Sequence, residues 1–388
     1  MEHFSCNTKI ISGSGAAKAL GELGAKRLFL VTDPFFFQNG KAKQIADLAK
    51  AEETEIFSEV QPDPTVELAA RGTARLKAFA PDLVVALGGG SALDCAKAMA
   101  YFAQGDYTLV AIPTTSGSGS EVTDFAILTH GGRKHPLVAI PTTSGSGSEV
   151  TDFAILTHGG RKHPLVDPRL RPQIAILDSD LLTELPKGLI ADTGFDVIAH
   201  ALEAGVAKNA GAITDSFARE AFAVAYGSLP GSFAGVGQMR PKMHMAATMA
   251  GIAFTQAGLG LCHAMSHTLG GRFHVPHGRL NAILLPSVIR CNAHVAQSKY
   301  ARMARAAGIS GSADSVAVRN LITGLVRLRR ELGLPETLAQ AGVEPRQVWQ
   351  EAADLAKDTL KDPCCQTNPL AVEEFLVRRI LEEVTGRV

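Results

Sequence analysis

The chain has 388 residues, 46% hydrophobic and 20% charged, and its 38 basic and 38 acidic residues give a formal net charge of zero. These proportions exclude a disordered or fibrous chain, and the length favours two domains over one. The balanced charge and the lack of a basic patch argue against nucleic acid, no apolar run is long enough to span a membrane, and a small-molecule partner is expected.

The N-terminal sequence MEHFSCNTKIISGSG lacks the basic start and apolar core of a signal peptide, so a cytoplasmic location is expected. Its Gly13-Ser14-Gly15 follows no convincing strand and indicates an ordinary turn. The cysteines have no paired spacing, which predicts reduced thiols rather than disulfides or a zinc knuckle. The adjacent Cys364 and Cys365 favour a structural role over a redox one.

A buried strand is predicted at residues 28–31, and the Thr-Asp-Pro after it ends the strand. Asp33 therefore lies at a strand's carboxyl end, where carboxylates in doubly wound folds often bind a ribose hydroxyl. An aspartate before proline is also a routine turn former, and both readings stay open. A helix over residues 41–51 and a short strand ending near Val60 follow.

The next predicted strand, residues 83–87, runs directly into Gly88-Gly89-Gly90-Ser91 and a helix from Ala92. Glycines let the backbone approach an anion, and a helix N-terminus offers unpaired N–H groups and a favourable dipole. The stretch is not the GxGxxG fingerprint, and a glycine-rich turn without phosphate stays open. Three glycines and a serine nevertheless favour a phosphate-binding turn.

Residues 109–136 are repeated letter for letter as residues 137–164. Structural repeats diverge in sequence and need several copies to bury a shared core, so an insertion by duplication is the simpler account. One copy predicts a strand (LVAIPTT), a Ser-Gly loop and a hairpin (FAILTH-GGRK-HPLV). Two copies cannot fill the same place.

The extra residues are expected to loop out where an insertion costs the fold least, which is the exposed glycine turn of the hairpin. We therefore expect Thr114, Thr115 and Ser118 of the first copy and Lys162 of the second to fill the functional positions. Residues 131–158 would then bulge from the hairpin tip, at a loop-closure cost on the order of 2 kcal/mol. Thr142 and Ser146 in the nucleotide site would contradict this expectation.

A further strand is predicted at residues 173–177, and strand signals nearly vanish from Leu181 onward. We therefore predict an α/β domain at residues 1–182, containing the duplicated segment, and an all-helical domain at residues 183–388. The two classes of pattern place the boundary near residue 182.

Four histidines lie within fifteen residues, at positions 263, 267, 274 and 277. His263 and His267 are four apart, so they share one face of a helix, and neutral imidazole is the commonest metal ligand. Asp196 and His200 are likewise four apart within an apolar helical pattern, where a buried carboxylate and imidazole need partners. Together they suggest an Asp plus three His metal set, against the alternative of surface histidines without a ligand.

Several motifs resemble the iron-dependent (group III) alcohol dehydrogenases, in order along nearly the whole chain. They are VTDP, GGGSALDCAKA, IPTTSGSGSEVT, DTGFDVIAHALEA and GLCHAMSHTLGGRFHVPHG. Within that family, FSCNTKIISGSG, QPDPT, KMHMAATMAGIAFTQAGLGLCHA and DPCCQTNP are most similar to the 1-propanol dehydrogenases of propanediol utilisation. The resemblance implies a dinucleotide-binding α/β domain, an all-α metal-binding domain, a metal at the cleft between them and a homodimer.

By the same resemblance, the metal ligands would be Asp196, His200, His263 and His277, with His267 near the nicotinamide as the proton relay. Asp33 would meet the adenosine ribose and favour NAD over NADP. The remaining nucleotide contacts would come from Gly89, Gly90, Ser91, Asp94, Thr114 or Thr142, Thr115, Ser118 or Ser146, and Lys162 or Lys134. His274 would be structural or would support the metal ligands without binding the metal itself. The sequence departs from the family at Arg279-Leu280, beside the last ligand, and at the duplication.

The implied activity is NAD(H)-linked interconversion of short-chain aldehydes and primary alcohols, such as propanal and 1-propanol. The implied metal is Fe²⁺, although three imidazoles and one carboxylate suit Zn²⁺ equally well. A zinc polyol dehydrogenase of the glycerol type, and a folded but inactive nucleotide or metal binder, are the alternatives. A bacterial microcompartment is a second location that the resemblance allows.

Overall fold

The N-terminal sheet is built from continuous apolar runs, as expected of parallel strands that helices cover on both faces. Leu28 and Leu30 pack into one core cluster, whereas Phe29 and Val31 alternate into the other. The structure is a computed structural model. It describes residues 4, 6, 8–62, 64–103, 108–113, 138–139, 151, 153–158, 161–167, 170, 172, 174–183 and 185–386.

The chain divides into two compact units, Ser5–Leu185 (the N-terminal unit) and Pro186–Val388 with Met1–Phe4 (the C-terminal unit). The N-terminal unit is α/β and the C-terminal unit is largely helical, so the predicted fold class is confirmed.

The strands of the N-terminal unit are β1 (Lys9–Ser12), β2 (Arg27–Thr32), β3 (Glu53–Phe57), β4 (Leu83–Gly88), β5 (Thr108–Pro113), β6 (Val138–Ala139), β7 (Phe153–His158), β8 (Arg161–Val166) and β9 (Ile174–Leu177). Its α-helices are α1 (Pro34–Gln38), α2 (Lys41–Leu48), α3 (Val66–Phe79) and α4 (Gly90–Ala103), with 3₁₀ helices at Ala16–Glu22 and Ser179–Leu182.

In the described residues, seven strands form one parallel sheet in the order β1-β9-β6-β5-β4-β2-β3. The chain runs outward from β2 to β3 and then continues on the other side of β2 with β4. The strand order therefore reverses between β2 and β4, where ligands bind in open α/β sheets. The strand β1 is a correction, because no strand was expected before Gly13; this short edge strand carries little apolar signal.

The predicted bulge of residues 131–158 is wrong. Val138 and Ala139 pair with β4 and β9 inside the sheet, next to the equivalent Val110 and Ala111 of the first copy. The second copy also supplies the hairpin up to residue 164, since Phe153–His158 pairs antiparallel with Arg161–Val166. Only two residues separate these strands, and so short a connection costs far less closure entropy than one spanning a whole extra copy.

The helices of the C-terminal unit are α5 (Lys187–Val206), α6 (Ala212–Phe233), α7 (Met239–Ala257), α8 (Leu261–Phe273), α9 (His277–Ala306), α10 (Asp314–Glu331), α11 (Pro345–Lys361), α12 (Cys364–Thr367) and α13 (Glu374–Thr385). Every residue from Ile190 to Val206 is buried, so α5 is the central helix of this unit.

No single helix in the described part of the chain is long and apolar enough to cross a membrane. Helices α7 and α8 reach that length only together, and they are bent by 102°. No disulfide joins the six cysteines, all of which lie in the described residues.

A buried histidine on α7 provides a test of acid stability. Neither ring nitrogen of His244 has a hydrogen-bond partner among the described residues, and burial lowers its pKa to about 3. The unfolded chain, with a histidine pKa of about 6.5, therefore binds the proton first, and stability is lost as the pH falls from about 6.5 towards 3. By pH 5 the loss from this residue is about 2 kcal/mol.

We expect His244→Leu to remove that loss. The measurement is urea unfolding of the wild type and the variant at pH 7.5 and at pH 5, with the difference between the two pH values as the readout. An equal loss of stability in both proteins would contradict the assignment.

Candidate functional site

Three polar side chains project from one face of the buried helix α5. Asp196, His200 and Glu203 are spaced four and then three residues apart, so they align along the helix. All three are buried. The ring of His200 stacks on Phe254 and on His263, with centroids at 4.6 and 4.4 Å, and its Nδ1 lies 4.0 Å from Asp196 Oδ1.

Two histidines from neighbouring helices meet Asp196. His263 on α8 places Nε2 3.6 Å from Asp196 Oδ1, and His277, the first residue of α9, places Nε2 3.7 Å from the same oxygen. Gly278 permits this approach, because a Cβ there would lie 2.0 Å from the carbonyl oxygen of Asp192. The start of α9 therefore packs directly against the α5 backbone.

These three side chains form a set of candidate metal ligands. One donor atom each from Asp196, His263 and His277 lies within 4.8 Å of the others. Asp196 Oδ2 has no hydrogen-bond partner among the described residues. A buried carboxylate oxygen without a partner is costly, so the donor set fits a bound divalent cation. His200 lies beside this set and contacts it through Asp196 and His263.

Asn281 completes the centre, and the sequence reasoning missed it. Its Nδ2 donates to Asp196 Oδ1 at 2.6 Å and lies 3.3 and 3.2 Å from Nε2 of His263 and His277. Ser266 Oγ donates to its Oδ1 at 2.5 Å, which fixes the orientation of the amide. The available signal was its position four residues after His277, on the same face of α9.

Glu203 organises α8 and one of its histidines, and it was also missed. Its carboxylate accepts the backbone N–H groups of Gly260, Cys262 and His263 at 3.0, 2.8 and 3.2 Å. The same carboxylate lies 2.7 Å from His263 Nδ1. A carboxylate can only accept, so Nδ1 carries the proton and Nε2 is directed towards Asp196.

The metal-free centre binds a proton strongly. Burial lowers the pKa of His263, but hydrogen bonds and the negative charges of Asp196 and Glu203 outweigh burial and raise it to about 9. Burial also raises the pKa of Asp196 to about 6, against the lowering effect of His263. A metal ion must therefore displace the proton on His263 Nε2.

We expect metal affinity to increase by about tenfold per pH unit between pH 7 and pH 9. Metal affinity rises with pH because the pKa of His263 is raised to about 9, so below pH 9 its imidazole holds a proton that competes with the cation. The check is a chelator competition at pH 7 and pH 8, corrected for the chelator's own protonation. Equal affinities at the two pH values would show that no proton is displaced.

His267 lies beside the centre, one turn after His263 on α8. Its ring stacks on His277 with centroids at 5.2 Å, and its Nδ1 lies 2.8 Å from Asp362 Oδ2. Burial alone would raise the pKa of Asp362, but the charge and hydrogen bond of His267 bring it down to about 2. The carboxylate therefore accepts from Nδ1. Asp362 lies ninety-five residues from its partner, and no local pattern connects the two.

The segment Asp362–Asn368, which we call the brace, holds α8 in place. Besides the Asp362 contact to His267, Asn368 Oδ1 accepts the N–H of Leu261 at 3.0 Å. Thr367 Oγ1 donates to the carbonyl of Leu259 at 2.7 Å. The brace and Glu203 together satisfy the N–H groups that begin α8.

Arg279, one of the departures from the family pattern, has a structural partner. Its Nε and a terminal nitrogen donate to the two oxygens of Asp192 at 3.1 and 2.9 Å. This bidentate pair joins α9 to α5 one turn before Asp196. Leu280 is fully buried. His274 is exposed and ends α8 with a left-handed backbone, in agreement with a structural role.

The predicted nucleotide contacts lie at the carboxyl edge of the parallel sheet. Thr32 at the end of β2 pairs with Leu87 of β4, so Asp33 and the glycine turn after β4 share that edge. Helix α4 begins at Gly90, with Ser91 as its second residue and Asp94 buried one turn further on. Asp33 Oδ1 accepts the N–H of Phe36 at 3.0 Å, so it also caps α1.

The duplicated segment is described in part. Thr114, Thr115, Ser118, Lys134, Thr142 and Ser146 lie outside the described residues. Lys162 lies in β8, where its backbone pairs with Thr157. The carbonyl of Thr151, in the second copy, accepts from the buried Lys97 Nζ of α4 at 3.1 Å, so the second copy contacts α4 at this residue.

Comparison with known families and structures gives consistent matches. The family described as "Fe-containing alcohol dehydrogenase family, C-terminal" matches residues 190–385, and "Iron-containing alcohol dehydrogenase" matches residues 7–135 and 130–179. The two matched ranges of the latter overlap inside the duplication.

Individual relatives cover the whole chain. The 1-propanol dehydrogenase PduQ of Citrobacter freundii is 36% identical, over 99% of this chain and 100% of that protein. The iron-containing alcohol dehydrogenase structure of Thermococcus thioreducens is 32% identical with a TM-score of 0.85, covering 98% of this chain and 99% of its own. Sulfoacetaldehyde reductase from Bifidobacterium kashiwanohense, in complex with NAD⁺, is 26% identical with a TM-score of 0.83, covering 100% and 99%.

Proposed function

Because this chain belongs to the iron-containing alcohol dehydrogenase family, we propose that it is an NAD(H)-linked enzyme for short-chain substrates such as propanal and 1-propanol. Interconversion of alcohols and aldehydes follows from the family, and the nucleotide and the substrate size are the proposal. The observation that carries the proposal is the buried Asp196, which faces two imidazoles and has one carboxylate oxygen without a hydrogen-bond partner among the described residues.

In this proposal a divalent metal is held by one carboxylate and three imidazoles. The proposed ligands are Asp196, His200, His263 and His277. Fe²⁺ is the family's metal, and the same donors suit Zn²⁺. When bound, the metal supplies Lewis-acid polarisation of the substrate oxygen.

The other residues of the site position ligands and move a proton. Glu203 keeps the proton of His263 on Nδ1, so that Nε2 is available as a ligand. Asp362 does the same for His267, whose Nε2 is then free to exchange the proton of the substrate oxygen.

The sheet edge supports the choice of nucleotide. In the proposal Asp33 meets the adenosine ribose, where a 2′-phosphate would face a carboxylate, so NAD is preferred over NADP. Gly89, Gly90 and Ser91 would hold the pyrophosphate at the start of α4, and hydride would move between substrate carbon and nicotinamide C4. Asp94, Thr114, Thr115, Ser118 and Lys162 would complete the pocket. The relative solved with NAD⁺ supports this assignment.

The test is an anaerobic assay on protein stripped of metal and reloaded with Fe²⁺ or Zn²⁺. We expect consumption of NADH with propanal, little consumption of NADPH, and loss of activity on chelation. Asp33→Ser should raise the use of NADPH relative to NADH. Activity that survives chelation would exclude the metal role, and faster turnover of glycerol-type substrates than of short aldehydes would favour a polyol dehydrogenase.

One observation about the duplicated segment favours the alternative function, a folded but inactive nucleotide or metal binder. Both copies contribute a strand beside β4, and the strand of the first copy ends at Pro113, opposite Gly88 at the proposed nucleotide edge. Deleting residues 109–136 leaves one complete copy. If the undeleted protein binds NADH tightly and turnover rises after the deletion, the result would favour an inactive binder. If turnover and thermal stability are unchanged by the deletion, the extra copy is harmless.

The proposed homodimer and the proposed location, the cytoplasm or a bacterial microcompartment, are supported by the family resemblance. Light scattering of the purified protein checks the first, and fractionation of cells that make microcompartments checks the second.

A further inference from the structure

A second group of metal-type ligands lies beside the centre described above. The donor atoms of His267, Asp362 and Cys364 all lie within 4.8 Å of one another, and each residue is partly buried. The three come from α8, from the end of α11 and from the first residue of α12.

The group is held together by its own hydrogen bonds. Asp362 Oδ2 lies 2.8 Å from His267 Nδ1, and Asp362 Oδ1 accepts the N–H of Cys364 at 2.9 Å. The side chains of His267 and Asp362 are 24% and 15% exposed to solvent, so a small cation can reach them. Metal–ligand bonds of about 2.0–2.3 Å place tetrahedral donors roughly 3.4 Å apart, so the donor atoms, which lie within 4.8 Å of one another, move closer when they bind one cation.

The chemistry of the donors separates this group from the first centre. The first centre has nitrogen and oxygen donors, whereas the second adds a sulfur. Thiolate donors favour Zn²⁺ and softer cations over Fe²⁺. The neighbouring Cys365 takes no part, because its Sγ is buried and donates to the carbonyl of Thr359 at 3.1 Å.

We propose that His267, Asp362 and Cys364 form a second cation site, which takes a thiophilic divalent metal such as Zn²⁺ or Cd²⁺ and thereby inhibits the enzyme. As the metal bonds form, the Cys364 thiol loses its proton to water, and the proton that His267 Nδ1 donates to Asp362 moves through water to Nε2, so that Nδ1 can bind the cation. Inhibition follows because the bound cation occupies His267 and Asp362. That inhibitory consequence rests on the proposed proton transfer by His267, whereas cation binding does not.

The direct test titrates the iron-loaded enzyme with Cd²⁺ and follows the ultraviolet sulfur-to-cadmium charge-transfer band. We expect a band in the wild type, its loss in Cys364→Ser and its retention in Cys365→Ser, the matched control. His267→Gln leaves Cys364 intact and should weaken the affinity by at least about tenfold. Absence of the band in the wild type, or its persistence in Cys364→Ser, would overturn the second site.

The same titration with NADH and propanal tests inhibition. Each variant is compared with its own rate without Cd²⁺. We expect Cd²⁺ to lower the rates of the wild type and of Cys365→Ser by at least about tenfold. The Cys364→Ser variant should keep most of the rate that it has without Cd²⁺. Equal inhibition of Cys364→Ser would refute the inhibitory role.

The two proposals fail separately. A cadmium–sulfur band in a protein whose activity survives chelation would sink the proposed metal mechanism and keep the second site. Metal-dependent turnover in a protein that shows no cadmium–sulfur band would keep the proposed metal mechanism and exclude the second site.

Discussion

Glu203→Gln is expected to weaken binding of the catalytic metal by about 10- to 100-fold. The carboxylate accepts three backbone N–H groups and the Nδ1 proton of His263. A glutamine amide presents one oxygen and one N–H₂ group, so part of this set loses its acceptor. His263 is then no longer held with Nε2 towards Asp196, and α8 loses part of its N-terminal capping.

Capping and ligand orientation can be separated with a matched variant. Asn368→Ala removes the acceptor for the N–H of Leu261 at the same helix end but leaves His263 untouched. Each variant should lose about 1–3 kcal/mol of its free energy of unfolding, because buried donors lose their acceptor. Both should therefore unfold at a lower urea concentration than the wild type. Only Glu203→Gln should change the metal dissociation constant, measured by calorimetric titration. A similar loss of affinity in Asn368→Ala would assign Glu203 a capping role alone.

Asp196→Asn is expected to lower turnover on the order of 10³-fold or more, because the centre loses its only anionic ligand. The same change should stabilise the metal-free protein. Burial raises the pKa of Asp196 to about 6, above the unfolded value of 3.8, so the folded state binds the proton more tightly. The contribution of Asp196 to stability is therefore greatest below pH 3.8 and is lost as the pH rises through 6, by about 3 kcal/mol at neutral pH.

Unfolding of metal-free wild type and Asp196→Asn at pH 7, followed by addition of metal, measures both effects. We expect the variant to start more stable and to gain nothing from the metal. Asp192→Asn is the control, since Asp192 lies one turn earlier on α5 and pairs with Arg279 instead. A metal-dependent gain in Asp196→Asn, or none in Asp192→Asn, would contradict the ligand assignment.

Local patterns predicted much of the fold. The apolar runs at residues 28–31 and 83–87 correspond to β2 and β4, because strands covered on both faces need continuous apolar sequence. The loss of strand signals after Leu181 correctly indicated a helical second half. The edge strand β1 escaped notice because three of its four residues are exposed, which leaves little periodic signal.

The sequence predicted candidate ligands in pairs four residues apart on one helix, and it missed Glu203, Asn281 and Asp362. Asp196 with His200, and His263 with His267, follow from spacing on one helix. Glu203 and Asn281 continue the same faces by three and four residues, so a longer reading of each helix would have included them. Asp362 acts across ninety-five residues, and only tertiary packing brings it to His267.

Identical copies could not be ordered from sequence alone. Every breakpoint within the repeat gives the same residue order, so the choice depends on which pairing closes with the shorter connection. The hairpin of β7 and β8 closes over two residues and takes its strands from the second copy.

The brace has a consequence for biosynthesis. All four proposed ligands lie before residue 278, but two of the groups that fix α8 belong to Asp362 and Asn368. A nascent chain still on the ribosome can thus display every ligand before the last supports of α8 have been made. Metal loading is therefore expected only after the brace has been synthesised, and a truncation before Asp362 should yield a protein that binds its metal weakly.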